Sequence, residues 1–514
     1  MARQTRARQV TIDALFVQRK RTRRDLPKAA KSTKTSPPVK DAPVTLDLPC
    51  KDRRPLATPA PVEIDPLHHA VEFIGSCSSD RDLITALHRD GIDGVPESLV
   101  GRVRTQLENC GTSLSTVGAM CGACDRQSAL ATICTHCRGT DVYIGRDQLP
   151  FQFVGVSREL IQGRTASAAL RGLDAALRLL LNEANKATAS FDTHGGDALF
   201  LFRFLAQRAS DERVRVTALQ LLKRVMARWD ERHPSLSLRK GKHAHHHVLC
   251  FAEAVHAKLF LCDPATLPDL RDQLREALAG FRLQELIAFV PGQLLYLPDG
   301  VCGNCLKKNN LKKSTLCASC SREISPAIDY QSMFFALVWS GLFRNLDVDL
   351  KASDHCCRVE DILHHMGSLR PYRSVDDIGH SSFMGQAYFV THLIFVMSDW
   401  GAHRLDPSLF AEEVVFIISN IETAIRLGDP ELVGEFIHSL RILGASDADY
   451  AVRRGVGYLL QKERSLKGKG SWVKPNRPFY QVYHSIYCAI IGLVEIDCHP
   501  VAALPDPSWR RHFL

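Results

Sequence analysis

The sequence predicts a mainly α-helical chain of stacked helical hairpins, solenoid-like in character, with two small zinc ribbons set into it. Three observations carry that expectation. Within 155–290, and again within 326–514, apolar residues recur at three- and four-residue spacing, as on amphipathic helices. Two helix starts carry an N-cap aspartate before proline, Asp406-Pro407 and Asp429-Pro430, and Gly428 and Gly444 stand where the helices should end. Eight of the 17 cysteines fall into two quartets of paired Cys-x-x-Cys: Cys121, Cys124, Cys134 and Cys137, then Cys302, Cys305, Cys317 and Cys320.

The tail, 1–66, has little means of folding alone. It holds nine prolines from Pro27 to Pro66 and few large apolar residues after Phe16. Residues 1–60 carry 15 Lys/Arg against 5 Asp/Glu, whereas the whole chain is +9, so the basic character belongs entirely to the tail. Attraction to DNA or another polyanion is therefore expected there. One stretch breaks the monotony. Gln9, Ile12, Leu15 and Phe16 resemble the box by which replication and repair proteins bind the sliding clamp (PCNA), with Leu15 where an aromatic is usual. The resemblance implies that a short turn plugs Ile12 and Phe16 into the clamp while Gln9 makes polar contacts. The basic run that follows, Arg19, Lys20, Arg21, Arg23 and Arg24, also reads as a nuclear-import or DNA-binding segment. An Arg-rich organellar transit peptide is the third reading.

Residues 67–145 form a small unit with two short helical patterns before the first quartet. The nine-residue gap between that quartet's pairs suits a compact knuckle, and nothing aromatic or cationic decorates it for stacking or phosphate contact. A structural zinc ion is expected.

Residues 146–295 read as a helical-hairpin domain, with helices over 166–184, 197–207, 211–229, 248–261 and 267–279. His243, His245, His246, His247 and Cys250 make a conspicuous cluster there. Four histidines in five residues cannot share one helix face, so an exposed loop before a helix is expected, with metal binding as the alternative.

Residues 296–325 hold the second quartet, its pairs eleven residues apart around a loop with Lys307, Lys308, Lys312 and Lys313. Two such knuckles supply the four soft ligands that tetrahedral zinc prefers. Two structural Zn2+ ions are thus expected in all. No apolar leader is visible and the other nine cysteines sit mostly singly, as in a reducing intracellular setting. The longest strongly apolar stretch, 387–397, contains His392 and is too short to span a bilayer, so no membrane partner is expected.

For 326–514 the expected helices are 384–399, 407–427, 430–443, 451–463 and 481–496, antiparallel by loop length. Within it Arg454-Gly455-Val-Gly-Tyr458-Leu459-Leu460, Glu463 and Gly470-Ser471-Trp472 resemble the Gln/Trp repeat of terpene cyclases, with Glu463 where Gln is usual and a longer turn before Gly470. Residues 480–493 are similar to the inner helix after such a motif in the α/α-toroid superfamily, which includes protein prenyltransferases. The resemblance implies a toroid-like helical domain, with Trp472 and Tyr458 buried. It does not imply cyclase chemistry, because the acidic motifs are missing and Asp376-Asp377 lacks a third carboxylate at the required spacing.

Three kinds of function stay open. The tail points to a nuclear zinc-binding protein of DNA replication, repair or chromatin. The C-terminal helices offer an enzyme instead, with His392, Asp399 and His484 turned into the toroid as base or metal ligands. Its alternative is a core histidine bonded to a backbone carbonyl, with Asp399 capping a helix that Gly401 ends. A zinc-stapled scaffold that only binds proteins is the third class.

Overall fold

The structure, a computed structural model, describes residues 158–513 apart from 187–188, 234–243, 262–266, 312–313, 448, 500–503 and 505, together with 105, 119–121, 127–128 and 142–144. In the first-quartet region three short strands, β1 (Ala119–Cys121), β2 (Gln127–Ser128) and β3 (Val142–Ile144), form an antiparallel sheet in the order β2-β1-β3. Of that quartet only the backbone of Cys121, opposite Val142, is described. The tail lies outside the described residues, and with it Gln9, Ile12, Leu15, Phe16 and the basic run.

The rest is helical. The helices are α1 (Arg158–Ala184), α2 (Ala189–Arg208), α3 (Glu212–Arg232), α4 (Ala244–Lys258), α5 (Leu267–Ala279), α6 (Leu283–Ile287) and α7 (Tyr330–Asn345). After them come α8 (Val359–Leu363), α9 (Met366–Leu369), α10 (Val375–Ile378), α11 (His380–Met397), α12 (Ala411–Leu427), α13 (Pro430–Ile442), α14 (Tyr450–Ser465) and α15 (Phe479–Leu493). Two short strands, β4 (Leu350–Lys351) and β5 (Cys356–Cys357), pair after α7. None of the described helices is long and apolar enough to cross a membrane.

The packing partners trace a closed circuit. Helix α2 packs on α4, α4 on α7, α7 on α11, α11 on α13, α13 on α15, and α15 back on α2. The intervening helices lie against these: α1 on α15, α3 on α2, α5 on α4, α12 and α14 on α13. The chain thus alternates inner and outer helices, and segments 146–295 and 326–514, read from the sequence as two domains, contribute to one ring. The sequences follow the positions. Helix α11 buries nearly every face, so HSSFMGQAYFVTHLIFVM shows no polar stripe. Helix α7, YQSMFFALVWSGLFRN, is similarly apolar all round, and no amphipathic pattern announced it.

Caps and glycines set the details. Asp211 and Asp429 accept the amides of Arg213 and Val214, and of Glu431 and Leu432, so α3 and α13 start where the sequence placed them. Asp406 behaves otherwise. Its Oδ1 takes the Ser408 amide at 2.9 Å and the Ser408 hydroxyl at 2.6 Å, closing a turn, and α12 begins only at Ala411. Helix α2 starts before Gly195 and Gly196 because both lie at close helix crossings: a Cβ on Gly196 would stand 2.2 Å from the Cys250 carbonyl oxygen. The histidine run is not a loop, since α4 begins at Ala244 and includes His245 to His247. Helix α11 ends at Met397 in a left-handed run, Asp399, Trp400 and Gly401 at φ 52°, 56° and 79°.

The stretch that carries the toroid resemblance is closely packed. Trp472 is fully buried and donates its indole N–H to the Leu459 carbonyl at 2.9 Å. Glu463 accepts the Gly470 amide at 3.0 Å and two bonds from Arg171 of α1 at 2.9 and 3.0 Å. Tyr458 is buried.

Candidate functional site

Two groups of ligand-type side chains come together among the described residues, one beside the ring and one inside it. Beside it, Cys302, Cys305, Cys317 and Cys320 bring their sulfurs within 4.8 Å of one another. Two matching knuckles make this happen. In the first, Leu306 at φ 54° donates to Cys302 O and Cys302 to Lys307 O; in the second, Ser321 at φ 60° donates to Cys317 O and Cys317 to Arg322 O. Sulfur separations of 3.6 Å, Cys302 to Cys320 and Cys305 to Cys317, approach the edge of about 3.8 Å expected for a tetrahedron with zinc–sulfur bonds of about 2.3 Å. Burial opposes ionisation of Cys317, yet the Ser319 and Cys320 amides pull it down to about 6, while burial first, then Cys317 and Cys320, push Cys305 up to about 12. The quartet can hold a metal ion and is compatible with zinc.

The first knuckle also caps a ring helix. Gly303 O and Asn304 O accept the amides of Ser382 and Ser381 at 2.8 and 3.2 Å, and Asn304 Oδ1 accepts that of His380 at 2.8 Å. These are the unpaired donors of the first turn of α11. The contact is tight, since a Cβ on Gly379 would stand 2.7 Å from Asn304 Cα. A cleft of about 430 Å³ opens at this junction between Tyr296, Arg322 and Arg373.

Inside the ring, side chains from five inner helices meet. Glu435 of α13, with His484 and Cys488 of α15, places one ligand atom each within 4.8 Å of the others. Cys488 Sγ lies 3.5 Å from Glu435 Oε1 and 3.8 Å from His484 Nε2. The other ring nitrogen, His484 Nδ1, is 3.2 Å from Glu431 Oε2, and Thr391 of α11 donates to Glu435 Oε2 at 2.6 Å. Helix crossing explains the juxtaposition. Gly434 and Gly492 let α13 and α15 touch backbone to backbone, and a Cβ on Gly434 would stand 2.0 Å from Cys488 O. The same device at Gly196 places Asp197 of α2 beside Glu253 of α4, and both interact electrostatically with His484.

The charges are unbalanced. Burial pushes Glu435 up to about 7 and Asp197 to about 6, and Glu253 well above the usual range. Burial works against a charge on His484, but Glu431, Asp197 and Glu435 outweigh it and raise it to about 9. Burial drives His392 down to about 3 and His194 to about 4. Burial thus holds these carboxyl groups toward neutrality around one charged imidazole.

The three catalytic residues expected from sequence separate into two groups. His392 and His484 both face the interior, linked through Glu435, whose Oε2 is 3.8 Å from His392 Nδ1. That nitrogen also lies 2.8 Å from Tyr388 O, the backbone partner expected of a core histidine. Asp399 does not join them. It sits two turns further on, accepts from Asn345 Nδ2 at 2.5 Å and faces Arg203 and Arg344. Sequence reasoning missed Glu431, Glu435, Cys488, Asp197 and Glu253. The available signal was the i, i+4 spacing of Glu431 with Glu435 and of His484 with Cys488, which puts each pair on one helix face. Of the histidine run and the first quartet, the side chains of His245, His246, Cys121, Cys124, Cys134 and Cys137 lie outside the described residues. No protein-family model, no curated protein and no solved structure matches this chain.

Proposed function

We propose that the chain is a metal-dependent enzyme of the α/α-toroid type, with its active site inside the ring at Glu435, His484 and Cys488. The observation that carries this reading is the ligand set together with its support. Glu431, 3.2 Å from His484 Nδ1, holds the imidazole in place, as the outer carboxylates of metal sites do, with Cys488 Sγ 3.7 Å from Nδ1 and 3.8 Å from Nε2, and Thr391 orients Glu435. Three protein ligands of N, O and S type suit a catalytic zinc with one position left for substrate or water. When bound, such an ion supplies Lewis-acid polarisation or lowers the pKa of a bound water or thiol. The chain's own groups bind and orient what enters.

In this reading Cys302, Cys305, Cys317 and Cys320 hold a structural zinc that fixes the start of α11, and the Cys121 quartet holds another. The tail supports a separate proposal, that Gln9, Ile12, Leu15 and Phe16 bring the protein to the sliding clamp and that Arg19 to Arg24 take it to the nucleus or to DNA. The test of the enzyme reading is metal analysis of the full chain beside its Cys488→Ser and His484→Gln variants. Each variant should carry one ion fewer than the parent at an unchanged fold. Incubation with a cell extract, followed by mass spectrometry, should show a metabolite consumed by the parent and spared by both variants. Equal metal content and equal consumption would remove the proposal.

A further inference from the structure

The polar interior extends beyond the three ligand-type residues, and the excess is one-sided. Asp197 and Glu253 stand side by side at the Gly196 crossing, yet among the described residues neither has a hydrogen-bond or ion-pair partner, and Asp197 Oδ2 is buried. The one cationic group that influences them is His484. They do not form a three-ligand metal group, so a second ion has too few donors there. Aromatic surface adjoins them. Tyr487 and Tyr483 interact with both carboxyl groups, and His194 stacks toward Tyr480 at 4.4 Å, which stacks on His484 at 4.9 Å. Asp197, Glu253, Tyr487 and His194 also keep a solvent-reachable part of their surface although the ring encloses them.

From this arrangement we infer that Asp197 and Glu253 are the receptor for a positively charged amine, the substrate end that faces away from Glu435, His484 and Cys488. Two carboxyl groups without a hydrogen-bond partner among the described residues, beside phenol rings, offer charge-assisted hydrogen bonds and a polarisable face to an ammonium group. Replacing the missing partners is what such a ligand does, and an uncharged analogue leaves the carboxyl groups as unpaired as before. The inference rests on the reading of the ring interior as the active site, though not on the metal.

The experiment is calorimetric and thermal-shift titration of the full chain at neutral pH with butylamine, cadaverine and spermidine, each against the alcohol of equal length. Amines should bind saturably and raise the melting temperature, and the alcohols should not. Asp197→Asn, which preserves shape, and Glu253→Gln should each weaken amine binding by at least about tenfold, the loss of a charge-assisted bond. Both should keep the parent's metal content. Cys488→Ser should lose metal and still bind amines, which separates failure of the metal proposal from failure of this one. Equal binding of amines and alcohols, amine binding that survives both carboxyl substitutions, or loss of an ion in Asp197→Asn would overturn the inference.

Discussion

A single methyl group at Gly434 should disturb the fold and the site together. The Cβ of an alanine there would lie 2.0 Å from Cys488 O and 2.5 Å from Cys488 C, both backbone atoms that no rotamer change can move. Reaching ordinary contact requires α13 and α15 to part by about 1.4 Å. They are not free to do so. Gly492, one turn along the same face of α15, also presses on Gly434, with an added Cβ 2.7 Å from Gly434 Cα. Arg441 ties the ends of the two helices, donating to Gly492 O at 2.7 Å and Val494 O at 3.0 Å. Overpacking of this kind costs about 1–3 kcal/mol, and a collision with backbone belongs at the upper end. Parting the helices also draws Glu435 away from Cys488, so the interior metal should be lost with the stability. Gly163→Ala is the internal control, because a Cβ there meets nothing within 4 Å and α1 should gain about 0.4–1 kcal/mol. Urea unfolding of both variants, with metal analysis, tests the pair. A Gly434→Ala protein as stable and as metal-rich as the parent would refute the close crossing and the site built on it.

Trp472→Ala should cost roughly 3–5 kcal/mol in the same assay, through the cavity left by a fully buried indole. Cys302→Ser or Cys317→Ser should release one zinc and make α11 exchange its first amides rapidly, read by hydrogen exchange; zinc retained in well-folded double variants would contradict the staple. Glu463 is held below the usual carboxylate range, because Arg171 and the Gly470 amide outweigh its burial. Its contribution should therefore be present above about pH 4.3, the ordinary glutamate value, and lost as pH falls below it, and Glu463→Gln should flatten that part of the stability profile. A peptide of residues 1–25 should bind the sliding clamp modestly and more tightly with Leu15→Phe. Ile12→Ala with Phe16→Ala should abolish binding at any salt, whereas neutralising Arg19 to Arg24 should weaken it mainly at low salt.

What was legible in the sequence was whatever short-range physics writes locally. Asp211 and Asp429 cap the helices they precede, Gly428 ends α12 in the left-handed conformation, and the second quartet closes on itself. Asp406-Pro407 carries the same local signature as Asp429-Pro430, but Ser408 captures its carboxylate and the helix waits for Ala411. Helix α7 stayed hidden because a helix buried on all sides has no polar stripe to betray its period. The site was illegible for a different reason. Asp197, Glu253, Glu435 and His484 lie on four helices, and their meeting depends on crossings at Gly196 and Gly434 that only the closed ring creates.

The molecule itself supplies the comparison that sets the interior apart from an ordinary buried polar network. Arg370, Glu413 and Tyr372 are also enclosed, and their charged and phenolic groups are paired. Arg370 gives Glu413 two bonds at 2.9 and 2.6 Å, Tyr372 gives it a third at 2.6 Å, and the Arg370 guanidinium lies 5.2 Å from the Phe513 ring centroid. That is how buried charge is kept when it serves the fold, since an unpaired group forfeits its hydration without return. The ring interior departs from this at Asp197, whose Oδ2 has no hydrogen-bond partner among the described residues, whereas Glu431 is paired with His484 and Glu435 with Thr391 and Cys488. Packed apolar residues at these positions would hold the six inner helices together better. On the proposed reading, the carboxyl groups kept there serve what enters the ring.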